Sequence, residues 1–141
     1  TRAGDGVSSP PSARVIPAVA AEDLLAEALQ LMRDEEFEAS LALYEKVLAR
    51  DRTAGTLVLR GDVYRAMHKV RDALGEYDAA IEVDKDFALA HLRRGEMLHE
   101  SARSSEGLAA VKKAIRLDGT LFEAHRVLSE FYLEAHDADG A

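Results

Sequence analysis

The chain is 141 residues long, enough for one domain with its own core. Hydrophobic residues make up 48% and charged residues 31%, which excludes a disordered chain, and the lack of any Cys excludes disulfides, thiolate metal sites and cysteine nucleophiles. The formal charge of −8, from 18 Lys and Arg against 26 Asp and Glu, argues against non-specific binding to a phosphate backbone. No apolar run approaches the roughly 18–20 residues of a membrane span.

The chain starts at Thr1, which reads as a processed chain or a fragment and leaves the compartment open: the cytoplasm is favoured, with an organelle or the periplasm as alternatives. Residues 1–20 hold all three prolines, Pro10, Pro11 and Pro17, and lack helical periodicity, so they read as a flexible or extended tail. Within it, Val15–Val19 is apolar and proline-restricted, suited to lying extended in a groove, against the plainer reading of a solvated leader.

From residue 21 the apolar residues recur at helical spacing. Helices are predicted at 21–34, 37–50, 55–68, 70–83, 88–101, 104–117 and 122–135, with no strands. Ala73, Tyr77, Ala80 and Ile81 form one stripe, and Leu108, Val111 and Ile115 another. Thr53 and Asp86 are the expected N-caps, Thr120 with Glu123 a capping box, and Gly119 a helix stop. A residue at one place recurs 34 later: Gly61 and Gly95, Ala80 and Ala114, Ile81 and Ile115, Asp84 and Asp118, Leu98 and Tyr132. Tyr44 and Asp51 precede Tyr77 and Asp84 by 33. The units are 21–53, 54–87 and 88–121, with a partial unit from 122 to about 136 read as a capping helix and 137–141 as a C-terminal tail.

These positions resemble the tetratricopeptide repeat, a 34-residue helix-turn-helix unit. The small eighth position is Ala28, Gly61, Gly95 and Ser129; the eleventh is Leu31, Tyr64, Leu98 and Tyr132. The twentieth is Ser40, Ala73 and Gly107, the twenty-fourth Tyr44, Tyr77 and Val111, and the twenty-seventh Val47, Ala80 and Ala114. Departures occur at the usual proline (Arg52, Lys85, Gly119) and the usual Trp (Leu24, Leu57, His91, His125). The resemblance implies an all-α, right-handed superhelix, an α-solenoid of about seven helices.

It also implies a concave groove lined by the first helix of each unit. Its candidates are Leu25, Leu29 and Met32 at one end, Val58, Leu59 and Arg65 in the middle, and Leu92, Arg93, Glu96, His99 and Arg126 at the other. That is an apolar floor leading to a mixed charged wall, suited to a partner segment with an apolar stretch and a carboxylate. The plainer reading pairs the arginines with Asp62, Glu96 and Glu130 on the same helix faces. Family members that clamp the C-terminal tail of heat-shock chaperones use five polar positions; here these are Leu25, Leu29, Leu59, Leu89 and Arg93, so that partner is not expected.

The charge is segregated: the third unit carries +2 between acidic neighbours, and Lys112, Lys113 and Arg116 form a candidate basic patch on a convex face for an acidic protein partner. His91 and His125 occupy equivalent places, which points to helix packing, and no nucleotide-binding or zinc-protease motif occurs. RNA-reading helical repeats carry basic grooves and a period near 35, so nucleic acid is not an expected partner. The sequence nominates no catalytic residue, metal or cofactor. The reading is a non-enzymatic protein-interaction module, an adaptor or scaffold; the alternative is a structural subunit docking through convex faces and the tail.

Overall fold

In the computed structural model, residues 20–140 are described, and the tail at 1–19 with Val15–Val19 lies outside them. Among the described residues there are seven helices and no strand: α1 (Ala21–Arg33), α2 (Phe37–Arg50), α3 (Ala54–Ala66), α4 (Val70–Val83), α5 (Ala88–Glu100), α6 (Ser104–Leu117) and α7 (Phe122–Gly140). Each odd helix packs first on the even helix that follows it, and each pair then stacks on the next, with α3 also touching α5. The result is an open solenoid.

The turns inside the three units share one geometry. Glu35, His68 and Ala102 have φ of 62°, 62° and 63°, the left-handed conformation that ends each first helix. The following N–H reaches back five residues: Glu36 donates to the Leu31 carbonyl at 2.8 Å, Lys69 to Tyr64 at 2.9 Å and Arg103 to Leu98 at 2.8 Å. These bonds satisfy carbonyls that a helix end leaves open. Glycine would occupy such a φ without strain, yet none of the three is glycine, so sequence alone gave these turns no marker.

Between units the capping differs from expectation in two places. Thr53 does cap α3, its Oγ1 accepting from the Thr56 N–H at 3.2 Å. Asp86 does not cap α5; its N–H instead donates to the Asp84 carboxylate at 3.0 Å. Likewise Thr120 and Glu123 form no capping box. Asp118 accepts from both the N–H and the hydroxyl of Thr120, at 2.9 and 2.5 Å, and Glu123 is drawn to Arg93. Asp84 and Asp118, 34 apart, thus make the same Asx-type turn. His91 and His125 donate through Nε2 to the carbonyls of Lys85 and Gly119 at 2.9 and 2.8 Å, tying each helix to its own turn.

The core is a chain of three clusters running through the stack. Ala28, Tyr44 and Val63 fill the first; Leu57, Val58, Tyr77 and Met97 anchor the second; Leu92, Val111, Val127 and Phe131 anchor the third. Small residues set the spacing within pairs. Ser40 Oγ donates to the Ala28 carbonyl at 2.8 Å across α1 and α2, so this buried hydroxyl is satisfied. The last helix runs on through Gly140 instead of stopping near residue 135, because no proline or glycine interrupts residues 123–139.

Candidate functional site

The concave face is built by α1, α3, α5 and α7, and the residues it presents come from a few repeated places. One place gives Leu29, Asp62, Glu96 and Glu130; the residues three further on are Met32, Arg65, His99 and Leu133. A trough of about 510 Å³ runs past Met32, Asp62, Arg65, Arg93, Glu100 and Glu123. A narrower recess of about 240 Å³ continues it past Glu96, His99, Glu130 and Glu134. Leu25, Leu29, Met32 and Leu59 are half-buried at the α1 end, so part of each is accessible. Val58 and Leu92 are not groove residues. They are 1% and 0% exposed and belong to the core clusters of the inner units, whereas Leu25 and Arg126, at the same place in the first and last units, stay accessible in part.

The arginines are engaged. Arg93 lies 3.5 Å from Asp62, 3.0 Å from Glu96 and 3.0 Å from Glu123, joining α3, α5 and α7. Arg65 pairs with Glu100 and lies 3.6 Å from Glu96. Arg126 pairs with Glu130 and lies 3.7 Å from Glu123. The pairs on one helix, Arg93 with Glu96 and Arg126 with Glu130, follow from their spacing. The pairs across helices required the fold. Burial works against the Arg93 charge, but Asp62, Glu123 and Glu96 outweigh it and hold its pKa above the ordinary value.

Asp62 sits at the centre of this wall. Burial raises its pKa, opposed by the Tyr77 hydroxyl donating at 2.6 Å and by Arg93 and Arg65. Tyr77 is raised in turn, by its own burial and by the Asp62 charge. Tyr44, one unit earlier, is wholly buried and its hydroxyl has no partner among the described residues, because Leu29 stands where Asp62 would be; burial pushes it up to about 12. The two tyrosines should therefore respond oppositely to loss of the hydroxyl. Tyr77→Phe is expected to cost about 1–2 kcal/mol in urea unfolding, whereas Tyr44→Phe should be neutral or stabilising by up to about 1 kcal/mol.

His99 closes the C-terminal end. Its Nδ1 lies 2.8 Å from Ser104 Oγ, its Nε2 2.7 Å from the Glu134 carboxylate, and its ring packs on Phe131 at 4.2 Å. It joins α5, the start of α6 and α7, a role its sequence position did not reveal. On the convex side Lys112, Lys113 and Arg116 are exposed along α6, with Lys112 Nζ 6.0 Å from the centre of the Tyr132 ring. Among the described residues no cluster of His, Asp and Glu is placed to hold a metal ion, and no helix is long and apolar enough to cross a membrane.

Three helix pairs on a 34-residue period, small residues at the pair crossings and a concave face from the first helices define the tetratricopeptide-repeat fold, an all-α solenoid. Solved structures place the chain there as well. The Sgt2 TPR domain from Aspergillus fumigatus superposes with a TM-score of 0.76 at 21% identity, covering 89% of this chain and 85% of that one. The first TPR of Spaghetti (RPAP3), bound to the HSP90 peptide SRMEEVD, gives 0.71 at 17%, covering 82% and 93%. The Yersinia enterocolitica type III secretion chaperone SycD, in complex with a peptide of the translocator YopD, gives 0.69 at 16%, covering 81% and 93%. No family model matches the chain, and no curated protein matches it in sequence.

Proposed function

We propose that the domain is a protein-interaction module, an adaptor or scaffold that holds a segment of a partner protein along its concave face. The observation that carries this reading is the trough and adjoining recess that run from Met32 on α1 along the charged wall of α3, α5 and α7. It extends to this chain the peptide binding of RPAP3 and SycD, which share the fold. In this reading the chain is a binding protein and not an enzyme.

The wall also bears on the chemistry of the partner. Asp62, Glu96, Glu100, Glu123, Glu130 and Glu134 outnumber Arg65, Arg93 and Arg126, and each arginine already has a carboxylate. The groove therefore favours a segment whose apolar residues lie over Leu25, Leu29 and Met32 and whose Lys or Arg side chains meet the surplus carboxylates. A carboxylate-bearing segment, suggested by the arginines alone, suits it less well. An acidic chaperone tail of the SRMEEVD kind is not the ligand in this reading. Leu25, Leu29, Leu59 and Leu89 stand at four of the clamp positions, and Arg93 is committed to Asp62, Glu96 and Glu123.

Fluorescence anisotropy with labelled apolar-basic and apolar-acidic peptides of one length tests this. The basic set should bind, weaken about tenfold between low and moderate salt, and lose at least about tenfold in affinity to Glu130→Lys with Glu134→Lys. Preference for the acidic set, or indifference to those two changes, rejects the reading. The exposed Lys112, Lys113 and Arg116 favour a second contact, in which an acidic partner docks on the convex face of α6.

A further inference from the structure

The α7 helix carries an apolar face that the rest of the described chain leaves largely exposed. Phe122 is 81% exposed, Leu133 63% and Tyr132 51%, while Ala124, Val127 and Phe131 on the opposite side are buried against the stack. The repeat says what this face is for. Thirty-four residues earlier, Ala88, Leu92, Gly95 and Leu98 stand at the places of Phe122, Arg126, Ser129 and Tyr132, and all four are buried. There the cover is α6, whose Gly107 and Val111 lie against Gly95. In the last unit the helix does not turn at His136, the place equivalent to Glu35, His68 and Ala102, but continues through Gly140. Through Gly140 the described chain thus runs on along the helix axis and does not fold back over that face.

We propose that the cover is the α7 helix of a second copy, packed antiparallel about a two-fold axis at Ser129. The face is self-complementary under that symmetry. Residues equidistant from Ser129 meet across the axis: Phe122 with His136, His125 with Leu133, and Arg126 with Tyr132. The first two pairs set an apolar side chain against an imidazole. The third sets a guanidinium against an aromatic ring. At the centre the small Ser129 lets the helices approach, the role that Gly61 and Gly95 play inside the units. The seam of one helix pair is smaller than the roughly 1,200–2,000 Å² of a standard interface, so the dimer is a weak one that populates at high micromolar concentration. Arg126 and Leu133 stand at places that also border the concave groove, whereas Phe122, Ser129 and Tyr132 turn away from it, so the dimer does not rest on what the groove binds.

The absence of cysteine makes the test direct. In Ser129→Cys the two sulfurs meet at the axis, so mild oxidation should give a disulfide-linked dimer at least about tenfold faster than Asp72→Cys, an exposed site on α4. Sedimentation equilibrium between about 5 and 500 μM should show the wild-type mass rising towards twice the monomer. Phe122→Glu with Leu133→Glu should stay monomeric with an unchanged helical circular dichroism spectrum, since both side chains are exposed. A wild type that stays monomeric, a dimer that survives the double change, or cross-linking no faster than the control would overturn the proposal. A monomer would leave this face to another helix.

Discussion

Replacing either Gly95 or Gly107 by alanine is expected to cost about 3 kcal/mol and to lower the melting temperature by roughly 10 °C. A Cβ on Gly95 would lie 2.7 Å from Val111 Cγ2 and 2.8 Å from the Gly107 carbonyl oxygen; one on Gly107 would lie 2.6 Å from the Gly95 carbonyl oxygen and 3.1 Å from the His99 nitrogen. Those neighbours are mostly backbone, so the clash is relieved only by separating α5 from α6, which opens the tightest pair in the stack. The two substitutions act on one contact, and the double variant should cost much less than the sum. At Gly61 the neighbours are the Tyr77 ring, at 2.6 and 2.9 Å, and Glu76 Cβ at 3.1 Å. A ring can tilt where a carbonyl cannot, so Gly61→Ala should cost less. Gly75, exposed on α4 with nothing within 4 Å, is the control, and Gly75→Ala should stabilise by about 0.5–1 kcal/mol. Equal losses at Gly95 and Gly75 in urea titration would refute the close-approach argument.

These glycines also show why the fold could be read so far from the sequence. A pair crossing needs a small residue at one place in the first helix and another in the second, and the spacing of Gly61, Gly95, Ala73 and Gly107 announces both. Helix bounds followed from the same periodicity to within two residues, α7 excepted. What could not be read was whatever depends on a partner distant in sequence. Glu35, His68 and Ala102 carry no mark of a left-handed turn, since their φ is imposed by the helices they join. Asp84 and Asp118 took the turn contacts expected of Asp86 and Thr120, a choice among neighbouring polar residues that sequence leaves open. In the groove, Val58 and Leu92 share one repeat place with Leu25 and Arg126, and only the packing of the inner units, which sequence does not show, buries them. The charged wall was legible as residues and not as pairs. Arg93 with Glu96 follows from spacing, but Arg93 with Asp62 and Glu123 depends on three helices converging.

That convergence makes Arg93→Leu the second large effect, expected to cost about 2–3 kcal/mol at neutral pH. The side chain is only 18% exposed, and its removal takes the shared cation from between Asp62, Glu96 and Glu123, leaving them Tyr77 and the more distant Arg65 and Arg126. The loss should depend on pH in a direction fixed by Asp62. Burial raises the folded pKa of this carboxyl, opposed by the Tyr77 hydroxyl on α4 and the charges of Arg93 on α5 and Arg65 on α3. A carboxyl raised on folding binds its proton more tightly in the native state than in the unfolded chain. Stability from this group is therefore fully present below its unfolded value and is lost as pH rises through the folded one. Without Arg93 the folded pKa of Asp62 moves higher still, so the penalty should be smallest in mild acid and grow towards neutrality. Asp62→Asn isolates the share of Asp62. Alone it keeps an acceptor for Tyr77 and leaves Arg93 with Glu96 and Glu123, so its effect should stay within about 1 kcal/mol. Combined with Arg93→Leu it should recover about 1 kcal/mol at neutral pH and almost nothing in acid, where Asp62 is already neutral. Chemical denaturation of the four proteins at two pH values gives the coupling. A loss in Arg93→Leu that is independent of pH and of Asp62→Asn would mean that the arginine acts by packing its alkyl stem and not by its charge.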